Sequence, residues 1–270
     1  MNKLLITTLI DDRYRDYAEL FIWCCHKSYP DYDIKILRKD KVFPDYPDNG
    51  YTTNALRMVV PPEHYEGWDY VFITDIDILI LRTEPTLLDI RLADMEKDKT
   101  VCYANSIRTK SSIFTNGTES WNGTQCLSGL HFCTQEWFKR VEPYAKYYRD
   151  YLKAAEVGRG FDGRMLYYMV DQLSLPISPK HKLIKRHHGI HIGTFRLWDE
   201  GLKYINRPGA EPMTAQQARH AAEKRVDSQK VKTWREYMSD PEYAQIVSRM
   251  TNPDVICQVK KLEAFCNVKD

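Results

Sequence analysis

The sequence predicts an α/β fold with a mostly parallel central sheet, helices on both faces, and a C-terminal helical extension. Three observations lead there. Over residues 3–196, short apolar runs bounded by polar turns alternate with stretches of helical periodicity, the order of repeated βαβ units. The run from Tyr70 to Leu81 reads as a buried strand, yet Asp75 and Asp77 interrupt it. From Thr214 onward the composition shifts to helix formers of mixed charge, punctuated by Pro241 and Pro253. We therefore divide the chain into an α/β domain, 1–205, and an extension, 206–270.

Residues 3–10 form the first strand, which Asp11-Asp12-Arg13 ends. Tyr14 to Tyr29 is helical, with Tyr17, Leu20, Phe21 and Cys24 on one stripe and Pro30 as its stop. Asp33 to Leu37 is a second strand, and 39–50 is a loop containing Pro44 and Pro47. Thr52 to Val60 is a helix capped by Thr52 or Thr53 and ended by Pro61-Pro62. After the acidic strand, Glu84-Pro85-Thr86 opens a helix to about Asp94, Thr100 to Ala104 is a strand, and the polar stretch 105–125 is a candidate lid or acceptor loop. A strand over 127–132 and a long helix from Thr134 to Ala155 follow, then a glycine-punctuated turn that puts Asp162 at the head of a helix over 164–173, an N-cap position. The extension holds helices near 215–225, 230–238, 242–250 and 254–265.

Asp75-Ile76-Asp77 is the chemically loaded element. In extended chain, residues i and i+2 share a side, so both carboxylates are expected to project together from a strand end. Carboxylates in so apolar a run need neutralising, and a divalent cation with oxygen ligands does this. Ligands of parallel sheets bind beyond the carboxyl ends of the strands, where Asp11, Asp12 and Asp75 all fall. Residues 182–196 concentrate Lys182, Lys185, Arg186, His187, His188, His191 and Arg196 around Gly189 and Gly193, a basic segment suited to a diphosphate.

Composition bounds the rest. Basic and acidic residues number 39 and 37, so a formal charge of +2 gives no whole-molecule attraction to nucleic acid. Seven cysteines without a CxxC pair argue against a disulfide framework or a zinc ribbon and for a reducing, cytoplasmic setting. No apolar stretch reaches the roughly 18 residues of a membrane span. Lys230, Lys232, Trp234, Lys260, Lys261 and Phe265 leave peripheral contact with a membrane face open, although acidic residues are interleaved among them.

In their order along the chain, these segments resemble a nucleotide-sugar glycosyltransferase of the GT-A fold, most of all the family 8 type of retaining galactosyl- and glucosyltransferases, over roughly residues 1–200. The resemblance implies a UDP-sugar donor and Mn²⁺ or Mg²⁺. It places the nucleoside at the end of the first strand, against Thr8, Ile10, Asp12 (or Asp11) and Tyr14. Arg57 and Asp75-Ile76-Asp77 would meet the donor, with Asp75, Asp77 and His191 holding the metal and His188 the alternative histidine. Lys185, Gly193 and Arg196 would hold the diphosphate, while Asp162 and Asp77 would be catalytic, Asp162 near sugar and acceptor. The chain departs from the family at Leu127-Ser128-Gly129, commonly Asn-Ala-Gly, at Gly163, commonly Gln, and in lacking Lys-Pro-Trp after the histidine. The implied partners are the donor and a glycan or lipid-linked acceptor. Two rival readings are a metal-dependent nucleotidyl or phosphoryl transferase and a non-catalytic sugar-binding module.

Overall fold

The computed structural model describes residues 2–104, 107–108, 126–127, 130–158, 160–176, 188–197, 216 and 226–268. Strands β1 (Leu4–Ile10), β2 (Asp33–Arg38) and β3 (Tyr70–Ile73) are parallel neighbours. β3 pairs antiparallel with a strand at His131–Thr134, which pairs antiparallel with one at Cys102–Ala104. One strand of five therefore runs against the rest, and the sheet is mostly parallel. Ile78–Ile80 is β4, Cys102–Ala104 β5, Ile107–Arg108 β6, Cys126–Leu127 β7, His131–Thr134 β8 and Gly189–His191 β9. The order of the five-stranded sheet is β2-β1-β3-β8-β5.

The helices are α1 (Tyr17–Ser28), α2 (Lys39–Val42), α3 (Gly50–Leu56), α4 (Leu87–Asp98), α5 (Gln135–Ala154), α6 (Phe161–Gln172), α7 (Ser228–Met238), α8 (Pro241–Arg249) and α9 (Pro253–Val268). Alternate residues of each strand feed two apolar layers. Leu4, Ile6, Phe72 and Phe132 face α1, α4 and the C-terminal helices. Leu5, Leu9, Val71, Ile73 and Cys133 face α3, α5 and α6.

The C-terminal helices share the first layer. Trp234, Tyr237 and Tyr243 are buried with Trp23 of α1, whose indole N–H donates to Glu242 at 3.0 Å. Tyr17 Oη donates to Gln258 at 2.9 Å, and Ser28 Oγ lies 2.8 Å from both Tyr237 Oη and the Ile80 carbonyl. The expected boundary at 205 and the helix near 215–225 lie outside the described residues, apart from Gln216.

Several local expectations are corrected. Lys39–Val42 is a helical turn within the expected loop. Helix α3 is capped by Asn49, whose side chain accepts from the Thr52 amide, so neither Thr52 nor Thr53 is the cap. Asp162 is not an N-cap either: Gly160 takes that place at φ 75, a conformation open to glycine, and Asp162 sits inside the first turn of α6. The most consequential correction concerns the acidic run, where the chain turns at Asp75-Ile76-Asp77 instead of continuing. A turn bond from the Ile78 amide to the Asp75 carbonyl, 3.2 Å, separates β3 from β4. β4 leaves the main sheet to pair with β9.

Candidate donor site at the carboxyl edge of the sheet

The parallel β1 and β3 end on the same edge, which puts Asp11 and Asp75 there together. At the end of β1, Thr8 is buried and its Oγ1 has no hydrogen-bond partner among the described residues. Ile10, the last residue of the strand, is buried. Asp11 is fixed by its neighbours: it accepts from the Arg13 amide at 3.1 Å and from Thr53 Oγ1 at 3.1 Å, and it is ion-paired with the Arg13 guanidinium. Asp12 points outward, with 83% of its side chain exposed and Arg38 at 3.4 Å. Tyr14 is half-buried and stacks on Tyr17 at 6.0 Å between centroids.

The turn at 75–77 gives the two carboxylates different close partners. Asp75 forms an ion pair with Arg57, a buried residue whose guanidinium also donates to the Thr74 carbonyl at 3.1 Å. Burial alone disfavours the Arg57 charge, but the carboxylates of Asp75, Asp162 and Asp77 outweigh it and hold its pKa above the usual arginine value. That electrostatic contact brings Asp162, from α6, to the same cation as both members of the acidic pair. Ile76 is buried between them.

Asp77 instead meets His191. The antiparallel register sets Ile78 opposite His191, and the Ile192 amide donates to the Asp77 carbonyl at 2.8 Å. This places His191 Nε2 3.1 Å from Asp77 Oδ2, with 29% and 13% of the two side chains exposed. Gly193 completes the arrangement. A Cβ there would lie 2.6 Å from Asp77 Oδ2 and 3.0 Å from His191 Nε2, so both atoms converge on the space a side chain would fill.

The neighbouring His188 turns the other way, buried and edge-on to Phe72 at 5.8 Å. The structure therefore brings His191, the first choice, to the acidic corner. Gly189 has a role distinct from the ligand approach expected of it: a Cβ there would lie 1.7 Å from the Leu79 carbonyl oxygen, so the glycine permits the β4–β9 crossing itself. Asn49, which caps α3, carried no recognisable motif, and Thr53, expected as a cap, instead donates to Asp11 from inside the helix.

Lys185 lies outside the described residues, and Arg196 is described only as backbone within the short 3-10 helix Ile192–Leu197. Among the described residues no group of three or more His, Cys, Asp or Glu is arranged to hold a metal. The Asp77–His191 pair fits a cation in chemistry and in spacing, since two donors each about 2.1 Å from an ion can stand about 3 Å apart. Asp75, committed to Arg57, is not part of that pair. Among the described residues no helix is long and apolar enough to cross a membrane.

No family model and no curated protein matches the chain. Solved structures do. The chain is similar to the galactosyltransferase LgtC in complex with donor and acceptor sugar analogues, at 17% identity over 60% of this chain and 69% of that one, with a TM-score of 0.36. It is also similar to the apo form of the glycosyltransferase GlyE of Streptococcus pneumoniae TIGR4, at 13% identity over 67% and 46% of the two chains, with a TM-score of 0.39.

Proposed function

We propose that the chain is a metal-dependent glycosyltransferase that moves a hexose from a UDP-sugar, UDP-glucose or UDP-galactose, to a hydroxyl of a glycan or lipid-linked acceptor. The observation that carries this reading is the convergence of Asp77 Oδ2 and His191 Nε2 on the space before Gly193. It stands beside a buried Arg57 that faces Asp75, Asp77 and Asp162.

Asp77 and His191 would hold Mn²⁺ or Mg²⁺, a mixed oxygen and imidazole set favouring Mn²⁺. When bound, such an ion offsets the charge that develops on the diphosphate leaving group. The protein's own groups do the remainder. Arg57 fixes the Asp75 carboxylate at the strand end, where 34% of the side chain stays exposed to take a ribose hydroxyl. Thr8, Ile10, Asp12 and Tyr14 border the nucleoside, and the buried Thr8 Oγ1 supplies a hydrogen-bonding group at that end of β1. Lys185 and Arg196 would steady the diphosphate. Asp162, held near Arg57, orients the acceptor or sugar, or deprotonates the acceptor hydroxyl if the reaction inverts.

A thermal-shift panel tests this. UDP-hexoses should raise the melting temperature with Mn²⁺ and lose that effect with a chelator. Stabilisation by nucleoside triphosphates in preference to UDP-sugars would instead indicate nucleotidyl transfer. No response to any nucleotide would leave the sugar-binding module.

A further inference from the structure

Beside the candidate donor site, α5 and α6 lie side by side and carry a row of aromatic rings, of which Tyr144, Tyr148 and Phe161 flank the core while Tyr147, Tyr151 and Tyr168 stand exposed. Tyr144, Tyr147, Tyr148 and Tyr151 recur at helical spacing along α5, spanning about 10 Å. Phe161 and Tyr168 face them from α6. Tyr151 stacks on Phe161 at 5.6 Å with the rings 8° from parallel, Tyr148 meets Phe161 and Tyr168 at 6.2 and 6.1 Å, and Tyr144 meets Tyr168 at 6.5 Å. The contacts descend α5 as they ascend α6, so the rings form a ladder along an antiparallel pair. Tyr147, Tyr151 and Tyr168 are 61%, 42% and 44% exposed. Among the described residues none of the five hydroxyls finds a protein hydrogen-bond partner. Burial, then the neighbouring hydroxyls of Tyr168, Tyr147 and Tyr151, pushes the Tyr148 phenol up to about 12, which marks how closely these hydroxyls gather.

We propose that this ladder is the docking platform for a neutral oligosaccharide, the length of acceptor glycan upstream of the reacting hydroxyl. The assignment rests on the glycosyltransferase reading above and extends it to the acceptor. Three features select this occupant. The ladder ends near the donor site, because Phe161, its end ring, directly precedes Asp162 on the same helix, and the Asp162 charge reaches Arg57. Sugar rings present C–H faces that lie on aromatic rings and hydroxyls that pair with phenols, and tyrosine offers both at low conformational cost. A lipid surface would call for Leu, Trp or Phe at the exposed positions, and the exposed rings here are all tyrosines.

The test uses the full chain and a Tyr147→Ala, Tyr151→Ala, Tyr168→Ala variant, with folding checked by circular dichroism and thermal melting. A panel of neutral glucose- and galactose-containing hexasaccharides is titrated calorimetrically with nucleotide and metal absent, so the reading is of the platform alone. UDP-hexose hydrolysis by the unaltered chain, measured separately, tests the donor site. The expected result is hexasaccharide binding by the unaltered chain that weakens tenfold or more in the variant, and weaker binding of disaccharides. Absence of hexasaccharide binding, or equal binding by the variant, overturns the platform even where UDP-hexose is hydrolysed. So does co-sedimentation with phosphatidylglycerol–phosphatidylethanolamine vesicles that the variant loses while glycan binding is unchanged.

Discussion

Replacing Gly193 with Ala should damage the candidate metal site while leaving the fold standing. The glycine has no positive φ, so its backbone accepts alanine. The new methyl would sit 2.6 Å from Asp77 Oδ2 and 3.0 Å from His191 Nε2, inside the distances real Cβ atoms show. Both atoms lie at the ends of side chains, which can swing aside more cheaply than backbone can. Stability should therefore change by less than about 1 kcal/mol, the loss of contacts being partly offset by the smaller entropy of the unfolded chain. The donors, however, would no longer converge. Disturbing the surroundings of metal ligands typically costs 10–100-fold in affinity, or about 1.4–2.7 kcal/mol. Mn²⁺ titration followed by calorimetry, with urea unfolding as the control, separates the two effects. Unaltered Mn²⁺ affinity in a folded variant would refute the idea that Asp77 and His191 bind through the space before Gly193.

Further outcomes follow from the same geometry. Arg57→Ala removes the cation that the Asp75 carboxylate pairs with and leaves Asp162 and Asp77 without their shared countercharge, and should cost about 3 kcal/mol in urea unfolding, the lower end of the range for broken buried pairs because Asp75 is partly solvated. Among the described residues neither ring nitrogen of the buried His131 has a hydrogen-bond partner, and burial, followed by the nearby Arg91 charge, pushes its pKa down to about 3. Its folded pKa lies below the unfolded value of about 6.5, so the unfolded chain takes up the proton first and stability falls as pH drops through that window. Between pH 7.5 and 5.5 the unaltered chain should lose about 1.4 kcal/mol relative to His131→Leu in parallel urea titrations. Trp234→Ala, in a fully buried position, should cost about 3–5 kcal/mol if α7 to α9 complete the core.

How far the sequence revealed these features depended on the range of the forces involved. β1, β2, α1 and α5 are set by local periodicity and by breakers such as Asp11 and Pro30, and they form close to where that pattern puts them. The acidic corner was visible as composition but not as geometry. A run apolar from Tyr70 to Leu81 reads as one strand, and nothing local announces that β4 departs to pair with β9 more than a hundred residues later. The partners of Asp75 and Asp77 are equally non-local, since Arg57 arrives from the turn after α3 and His191 from β9. Choosing between His188 and His191 required the strand register, which turns one ring into the core and the other toward Asp77. Asp162 was legible as a helix-head acid, but its approach to Arg57 depends on how α6 packs against α3.

In the proposed function, metal-dependent chemistry at a UDP-sugar depends on the carboxylate of Asp77. Hydrolysis of UDP-glucose and UDP-galactose, followed as UDP release with and without Mn²⁺, tests it most directly in the unaltered chain and in Asp77→Ala. Release should require Mn²⁺ in the unaltered chain and fall by at least a hundredfold, about 2.7 kcal/mol in transition-state stabilisation, in an Asp77→Ala variant that still folds. Release that is independent of metal, or unchanged in Asp77→Ala, would rule out that role for Asp77.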